Sequence, residues 1–197
     1  MKEMKNEGLL LVVSGPAGAG KGTVVNELKK DENIRLSISA TTRAPRGVEK
    51  DGVEYHFMNC EDFEKMIGED GFIEYAQYLG NYYGSPKKPI VEWQEQGKDV
   101  ILEIEVQGCE KVKNAMPDCI SIFIMPPSMA VLEKRLRGRG TETEENVLRR
   151  LARAAEELQL AKNYDYVVVN DALEDCIEDV KTIIKAEKLK AKRFHFE

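Results

Sequence analysis

The sequence has no apolar run approaching the roughly 20 residues needed to cross a bilayer. Its first residues, Met-Lys-Glu-Met-Lys-Asn-Glu, carry no apolar signal region. Neither a membrane partner nor export is expected, and the expected compartment is the cytoplasm. Cysteine is scarce: Cys60, Cys109, Cys119 and Cys176 show no C-x-x-C spacing and read as reduced thiols. Histidine is scarcer still, because His56 and His195 form no metal-ligand cluster and His195 falls in a basic tail expected to fray. Positive charge is not in excess. A net charge of -6 argues against a partner bound by general attraction to a phosphate backbone, so no nucleic acid is expected and any anion site must be local. No repeat, low-complexity tract or Pro/Ser linker divides the chain. Its 197 residues suffice for one domain with a sizeable core, and 42% apolar with 32% charged residues argues against disorder.

What the chain does have is a glycine loop in a telling context. Residues 9–14, Leu-Leu-Leu-Val-Val-Ser, are a short unbroken apolar run that predicts a strand buried on both faces. Gly15-Pro16-Ala17-Gly18-Ala19-Gly20-Lys21-Gly22-Thr23 follows. Its glycines permit backbone angles closed to other residues, so successive peptide N–H groups can turn inward around an anion. A helix is predicted over 21–30, with Val24, Val25 and Leu28 on one side. A helix N-terminus facing such a loop is a phosphate site, and Lys21 adds a mobile full charge. The alternative is a glycine-rich turn with an incidental lysine, but Gly15-x-x-x-x-Gly20-Lys21 between strand and helix reads as a P-loop. Gly22 stands where Ser or Thr is usual, and the hydroxyl comes one place later. Thr23 is therefore expected to reach the phosphates, with Mg²⁺ held largely by water and nucleotide oxygens.

Downstream, the alternating run 34–39 predicts a second strand. It leads into Ser39-Ala40-Thr41-Thr42-Arg43-Ala44-Pro45-Arg46-Gly47, a loop by virtue of Pro45 and Gly47. Arg43 and Arg46 there offer forked N–H donors suited to a phosphate monoester; two solvated surface arginines are the alternative. Residues 53–58 alternate like a half-exposed strand, with Tyr55 and Phe57 on one face. A helix over 61–67 and a strand over 72–76 follow, and Gly80-Asn81-Tyr82-Tyr83-Gly84-Ser85 reads as a turn. Residues 34–85 thus read as a small β-rich insert covering a ligand. A helix over 86–96, closed by Gly97, returns the chain.

Residues 99–106 give another core strand with Glu103 and Glu105 at its C-terminal end, the end that borders the ligand crevice in an open parallel sheet. Either carboxylate fits water-held Mg²⁺ or the acceptor substrate; the alternative is the exposed face of an alternating strand. A strand over 120–125 precedes a helix capped by Ser128 and running through Arg137. A long helix is predicted over 144–162. Its expected apolar face is Val147, Leu148, Leu151, Ala155 and Leu158, and Asn146, Arg149, Arg150 and Arg153 form another stripe. An anion between Arg135, Arg139 and Arg150 would relieve that like-charge crowding and make the segment a mobile phosphate clamp. The alternative is a solvated face balanced by Glu144, Glu145, Glu156 and Glu157. Residues 166–170 predict the last strand, and Asp171 with Glu174 a capping box for the terminal helix. The alternation of strands and helices predicts an α/β fold, a parallel sheet with helices on both faces.

The P-loop, the Ser39–Arg46 loop, Tyr55, Gly80-Asn-Tyr-Tyr83-Gly-Ser85 and Gly138-Arg-Gly-Thr-Glu-Thr-Glu-Glu145 together resemble guanylate kinase, over residues 9–188 and in the family's order. The resemblance implies a P-loop kinase core (about 9–33, 86–137 and 163–190), an NMP-binding insert (about 34–85) and a helical lid (about 138–162) within one domain. It implies transfer of a phosphoryl group from ATP to GMP, and to dGMP, with Mg²⁺. Carried over by position, Arg43, Arg46, Tyr55 and Tyr83 would hold the GMP phosphate, while Ser39, Glu74 and Ser85 would read guanine. Lys21 and the loop residues Gly15 to Thr23 would hold the ATP phosphates, Asn170 would lie near adenine, and Arg135, Arg139 and Arg150 would stabilise the transferring group. No direct protein ligand to the metal is implied, with Thr23 and Glu103 reaching it through water. Ala17 departs from the family's usual Ser, and Glu105 from its usual Asp near the acceptor nucleoside. Two competing readings are a guanylate-kinase-like interaction domain without catalysis and a P-loop kinase acting on a ribose bisphosphate. The retained Lys21 and lid arginines weigh against the first. The joint presence of Ser39, Glu74 and Ser85 weighs against the second. The oligomeric state is left open, a homo-oligomer included.

Overall fold

The computed structural model describes residues 7–138 and 143–194. Strand β1 (Leu10–Ser14) is buried along its whole length because it has neighbours on every side. Strands β7 (Asp99–Glu103) and β8 (Ile120–Met125) flank it in parallel; β2 (Ile34–Leu36) lies outside β7 and β9 (Tyr166–Val169) outside β8, giving the order β2-β7-β1-β8-β9. Side chains alternate between the two faces. Leu9, Leu11, Val13, Ile122 and Ile124 pack under α1 (Lys21–Leu28) and α7 (Leu173–Lys188). Leu10, Val12, Val100 and Leu102 pack under α3 (Lys87–Glu95) and α4 (Val106–Ala115). Each fully buried Leu, Ile or Val contributes about 1.5–3 kcal/mol, so continuous apolar strands in the middle of the sheet and helices on both faces stabilise each other. At the sheet's N-terminal edge Asp99, its side chain only 3% exposed, accepts from the Leu9 N–H (3.0 Å) and pairs with Lys188 (2.6 Å), tying the last helix to the first strand.

A second sheet, ordered β4-β3-β6-β5, carries the insert: β3 (Ala40–Thr41), β4 (His56–Phe57), β5 (Phe72–Tyr78) and β6 (Asn81–Pro86). Helix α2 (Cys60–Gly68) closes it with a stack of rings, Phe63 lying 4.3 Å from Phe72 and 5.1 Å from Tyr82. The lid helices α5 (Met129–Gly138) and α6 (Glu144–Gln159) share a small core of their own, Leu132, Leu136, Val147 and Ala154 with Leu151.

Several sequence expectations need correction. The insert does not begin at residue 34: Ile34, Arg35 and Leu36 pair with β7 in the core sheet, and a three-residue alternation carries no mark of which sheet it will join. Residues 80–85 are not a turn. The turn is Leu79-Gly80, both with positive φ (47° and 77°), the two-residue hairpin geometry that matches strand twist; the residues after it form β6. Gly84 belongs in that strand because a Cβ there would lie 2.9 Å from Phe72 and 3.0 Å from Phe63. Helix α4 went unpredicted, since its buried positions are few and Gly108 interrupts them. Glu105 therefore precedes a helix instead of ending a strand. The strand expected over 53–58 is reduced to β4. On α6, Leu148 is exposed, as is Ala155, and Ala154 is buried in their place, because α6 docks on α5 along 147, 151 and 154. The capping box is absent. Helix α7 starts at Leu173 with Ala172 as an uncapped N-cap, which leaves Asp171 one place too early.

Candidate active site

The loop after β1 takes its shape from contacts that only glycine permits. A Cβ at Gly15 would lie 2.0 Å from the Ile124 carbonyl oxygen, and one at Gly20, where φ is 91°, would lie 2.3 Å from Asn170 Nδ2. Asn170, 6% exposed, donates to the Ala19 carbonyl at 2.8 Å. It braces the loop from behind through one of the two N–H donors of its Nδ2. No side chain caps α1, so its N-terminal N–H groups and dipole are directed at the loop. Lys21 folds back over the loop, donating to the carbonyls of Gly15 (2.6 Å) and Pro16 (3.2 Å). Thr23 is exposed in the first turn of α1.

A cleft of about 650 Å³ opens at this C-terminal end of the sheet. Gly15, Ala17 and Lys21 form one wall, Ser39 and Tyr55 of the insert another, and Arg149, Arg150 and Arg153 of α6 a third. Glu103 and Glu105 line its floor beside Ile104. Burial pushes the Glu103 carboxyl above the usual carboxylate range, with Lys21 opposing the shift. Arg135 reaches from α5 toward the carbonyl of Asp171 (3.4 Å), and its Nη1 is buried without a hydrogen-bond partner among the described residues. Arg139 lies outside the described residues.

In the insert, Arg43 is gripped by a residue that sequence reasoning missed. Glu49 accepts from Arg43 Nη1 (2.9 Å) and Nη2 (3.0 Å), and also from the Arg46 backbone N–H (2.7 Å). That pairing raises the Arg43 pKa and lowers that of Glu49. The Arg43 guanidinium sits 5.4 Å from the Tyr55 ring, which meets Tyr83 edge-on at 6.0 Å. Arg43, Tyr55 and Tyr83 thus converge, whereas Arg46 is exposed. The only local signal for Glu49 is a carboxylate following two arginines in one short loop.

Glu74 and Ser85 face each other across β5 and β6. Glu74 is 9% exposed, and Ser85 Oγ donates to its Oε1 at 2.8 Å. Burial raises the Glu74 pKa, opposed by the Ser85 hydrogen bond and Lys111. Since a serine hydroxyl carries one proton, Ser85 orients Glu74 in this structure, and Ser39 lines the cleft beside Ser37, Tyr55 and Tyr78. Helix α4 lies alongside: a Cβ at Gly108 would stand 3.0 Å from Ile104 Cδ1 and 3.6 Å from Glu74 Oε2.

A family model described as guanylate kinase matches residues 7–187. The chain belongs to the guanylate kinase family. A guanylate kinase of Halalkalibacterium halodurans is 53% identical, over 96% of this chain and 93% of its own. One of Carboxydothermus hydrogenoformans is 49% identical, over 97% and 94%. The crystal structure of guanylate kinase from Anaplasma phagocytophilum superposes with a TM-score of 0.77 at 38% identity, covering 96% of this chain and 91% of that one. Membership in this family makes the chain a nucleoside monophosphate kinase, and the cleft has the layout that such an enzyme needs. The glycine loop and Tyr55 come from different sheets, and Arg149, Arg150 and Arg153 of α6 line the same cleft. The expected fold, a P-loop kinase core with a β-rich insert and helical lid, agrees with this neighbour. Among the described residues no helix is long and apolar enough to cross a membrane.

Proposed function

We propose that this chain carries out guanylate kinase chemistry with ATP held by the P-loop and GMP held by the insert. The observation that supports this assignment of sides is that one cleft is lined by the glycine loop with Lys21 on one wall and by Tyr55 of the insert, against whose ring Arg43 sits, on another. ATP-dependent phosphorylation of GMP to GDP is the reaction of the family to which the chain belongs. In it, a GMP phosphate oxygen attacks the terminal phosphorus of ATP and ADP leaves. Charge spreads over the moving group, so catalysis needs positioned cations more than a covalent partner. Lys21 exchanges its carbonyl contacts for the ATP phosphates. Arg43 holds the acceptor phosphate with Tyr55 and Tyr83, Arg46 closing from the loop. Arg135, whose Nη1 lacks a partner among the described residues, joins Arg150 and Arg139 around the transferring phosphoryl group. Glu74, aligned by Ser85, accepts the two adjacent N–H donors of guanine, and Ser39 meets O6. Asn170 keeps the loop in shape. dGMP is expected as an acceptor alongside GMP.

Mg²⁺ is the expected metal. Among the described residues no three His, Cys, Asp or Glu side chains converge as a metal cage. Glu103 does offer a hard carboxylate beside the loop, 3.6 Å from where a Gly22 Cβ would stand. One carboxylate, a nearby hydroxyl at Thr23 and nucleotide oxygens fit an ion that keeps several of its waters. When bound, it supplies the charge neutralisation that Lys21 alone lacks. The composition suits a cytoplasmic enzyme without nucleic-acid or membrane partners. A coupled assay offering ATP with GMP, dGMP, AMP, UMP and a ribose bisphosphate tests the reading: turnover is expected with GMP and dGMP, and preference for any other acceptor overturns it.

A further inference from the structure

The lid and the sheet core are built as separate apolar units. Helix α6 buries Val147, Leu151 and Ala154 against Leu132 and Leu136 of α5, in a cluster distinct from the two that sandwich the sheet. A polar bridge spans them. Arg153 Nη2 on α6 donates to Glu105 Oε2 at 2.8 Å, across 48 residues of chain. Its Nε donates at the same time to Glu157 Oε1, one turn further along α6, at 2.8 Å. The guanidinium is therefore anchored on its own helix through Nε and reaches the core through Nη2. Glu105 is the N-cap residue of α4 but does not cap it with its side chain, so the carboxylate is directed outward to the lid. Both partners line the cleft, as do Arg149 and Arg150.

We propose that Arg153 is a positioning residue for phosphoryl transfer: through Glu105 it holds α6 over the cleft and so sets where Arg150, three residues earlier, stands relative to the P-loop. The strength fits a lid that must open. Side-chain exposures of 42% for Arg153 and 62% for Glu105 make this a partly solvated pair, of the kind worth about 0.5–1 kcal/mol and weakened by salt. In the family resemblance the Glu105 position stands near the acceptor nucleoside, so lid and nucleoside share one carboxylate, whose Oε2 is given to Arg153. This part of the inference rests on GMP being the acceptor; the latch itself does not.

The test uses the full chain with a Cys60→Ser background and spin labels at Leu148→Cys on exposed α6 and Lys88→Cys on exposed α3. Without nucleotide, Arg153→Ala is expected to lengthen or broaden the label distance, and high salt to do the same to the parent. In the unlabelled enzyme, Arg153→Ala is expected to lower kcat about two- to fivefold, the range that corresponds to a pair of about 0.5–1 kcal/mol. GMP affinity by calorimetry and the thermal midpoint should hold, and Arg153→Lys should restore part of kcat. In a Glu105→Gln background the further effect of Arg153→Ala on the distance should vanish. An unchanged distance and kcat in Arg153→Ala overturns the proposal, as does an equal loss in the Glu105→Gln background. A parent enzyme that fails to phosphorylate GMP would reject the acceptor reading instead, and the nucleotide-free distances would still decide the latch.

Discussion

Glu74→Gln separates recognition from stability. In the native protein Ser85 donates to Glu74 Oε1 at 2.8 Å, which leaves Oε2 and the remaining lone pairs for the N1–H and N2–H of guanine. Glutamine can keep the Ser85 bond with its carbonyl oxygen, but its NH₂ then occupies the Oε2 place and points donor against donor. A hydrogen bond to a charged group contributes about 1.5–3 kcal/mol, so kcat/KM for GMP should fall about 10- to 150-fold at 1.4 kcal/mol per tenfold. AMP presents an unprotonated N1 at that edge, which the amide does not oppose, so the preference for GMP over AMP should narrow by at least as much. ATP affinity should barely change. Stability should move the other way. Burial raises the folded-state pKa of Glu74 above its ordinary 4.5, so the native state binds this proton more tightly than the unfolded state. The native state therefore loses stability as pH rises from 4.5 through the raised value. At pH 7 the buried charge is a cost that the glutamine lacks. The variant should match or exceed the parent's thermal midpoint at pH 7, with the difference shrinking as pH falls toward 4.5. Competition kinetics with GMP and AMP, beside melts at several pH values, measure both effects. A variant that keeps the parent's GMP-over-AMP ratio would refute Glu74 as the base reader.

Lys21→Met should cut turnover by at least about 100-fold while leaving GMP affinity by calorimetry nearly intact; an equal fall in GMP affinity would place Lys21 on the wrong side of the cleft. Excess chelator should abolish turnover and added Mg²⁺ restore it, so undiminished activity in chelator rejects the metal. Asp99→Asn should lower stability by about 1–3 kcal/mol in denaturant titrations, because it weakens the bond from the Leu9 N–H and leaves Lys188 without its carboxylate. It lies at the opposite end of the sheet from the cleft, so kcat should hold; a stability change under about 0.3 kcal/mol would show the pair to be incidental.

The sequence by itself determined what is written in contiguous residues. The strand–glycine loop–helix run over 9–28 is legible from residue type and spacing alone as the shape of an anion site, and the apolar runs of β1, β7 and β8 imply a sheet covered on both faces. Charge, cysteine spacing and the family's motifs narrowed the function further, because each is a property of residue type and order. Only the tertiary structure decided which distant groups share a contact. It joined Asn170 to Ala19 across 151 residues and Arg153 to Glu105 across 48. It gave Arg43 to Glu49, turned Ser85 toward Glu74, and placed residues 34–36 in the core sheet. The physical reason is that periodicity reports the face a residue presents, whereas its partner depends on register, hairpin geometry and helix docking set elsewhere in the chain. Helix α4 shows the limit most clearly: Gly108 weakens its local helical signal, yet the helix packs so closely that a Cβ at that glycine would stand 3.0 Å from Ile104 Cδ1.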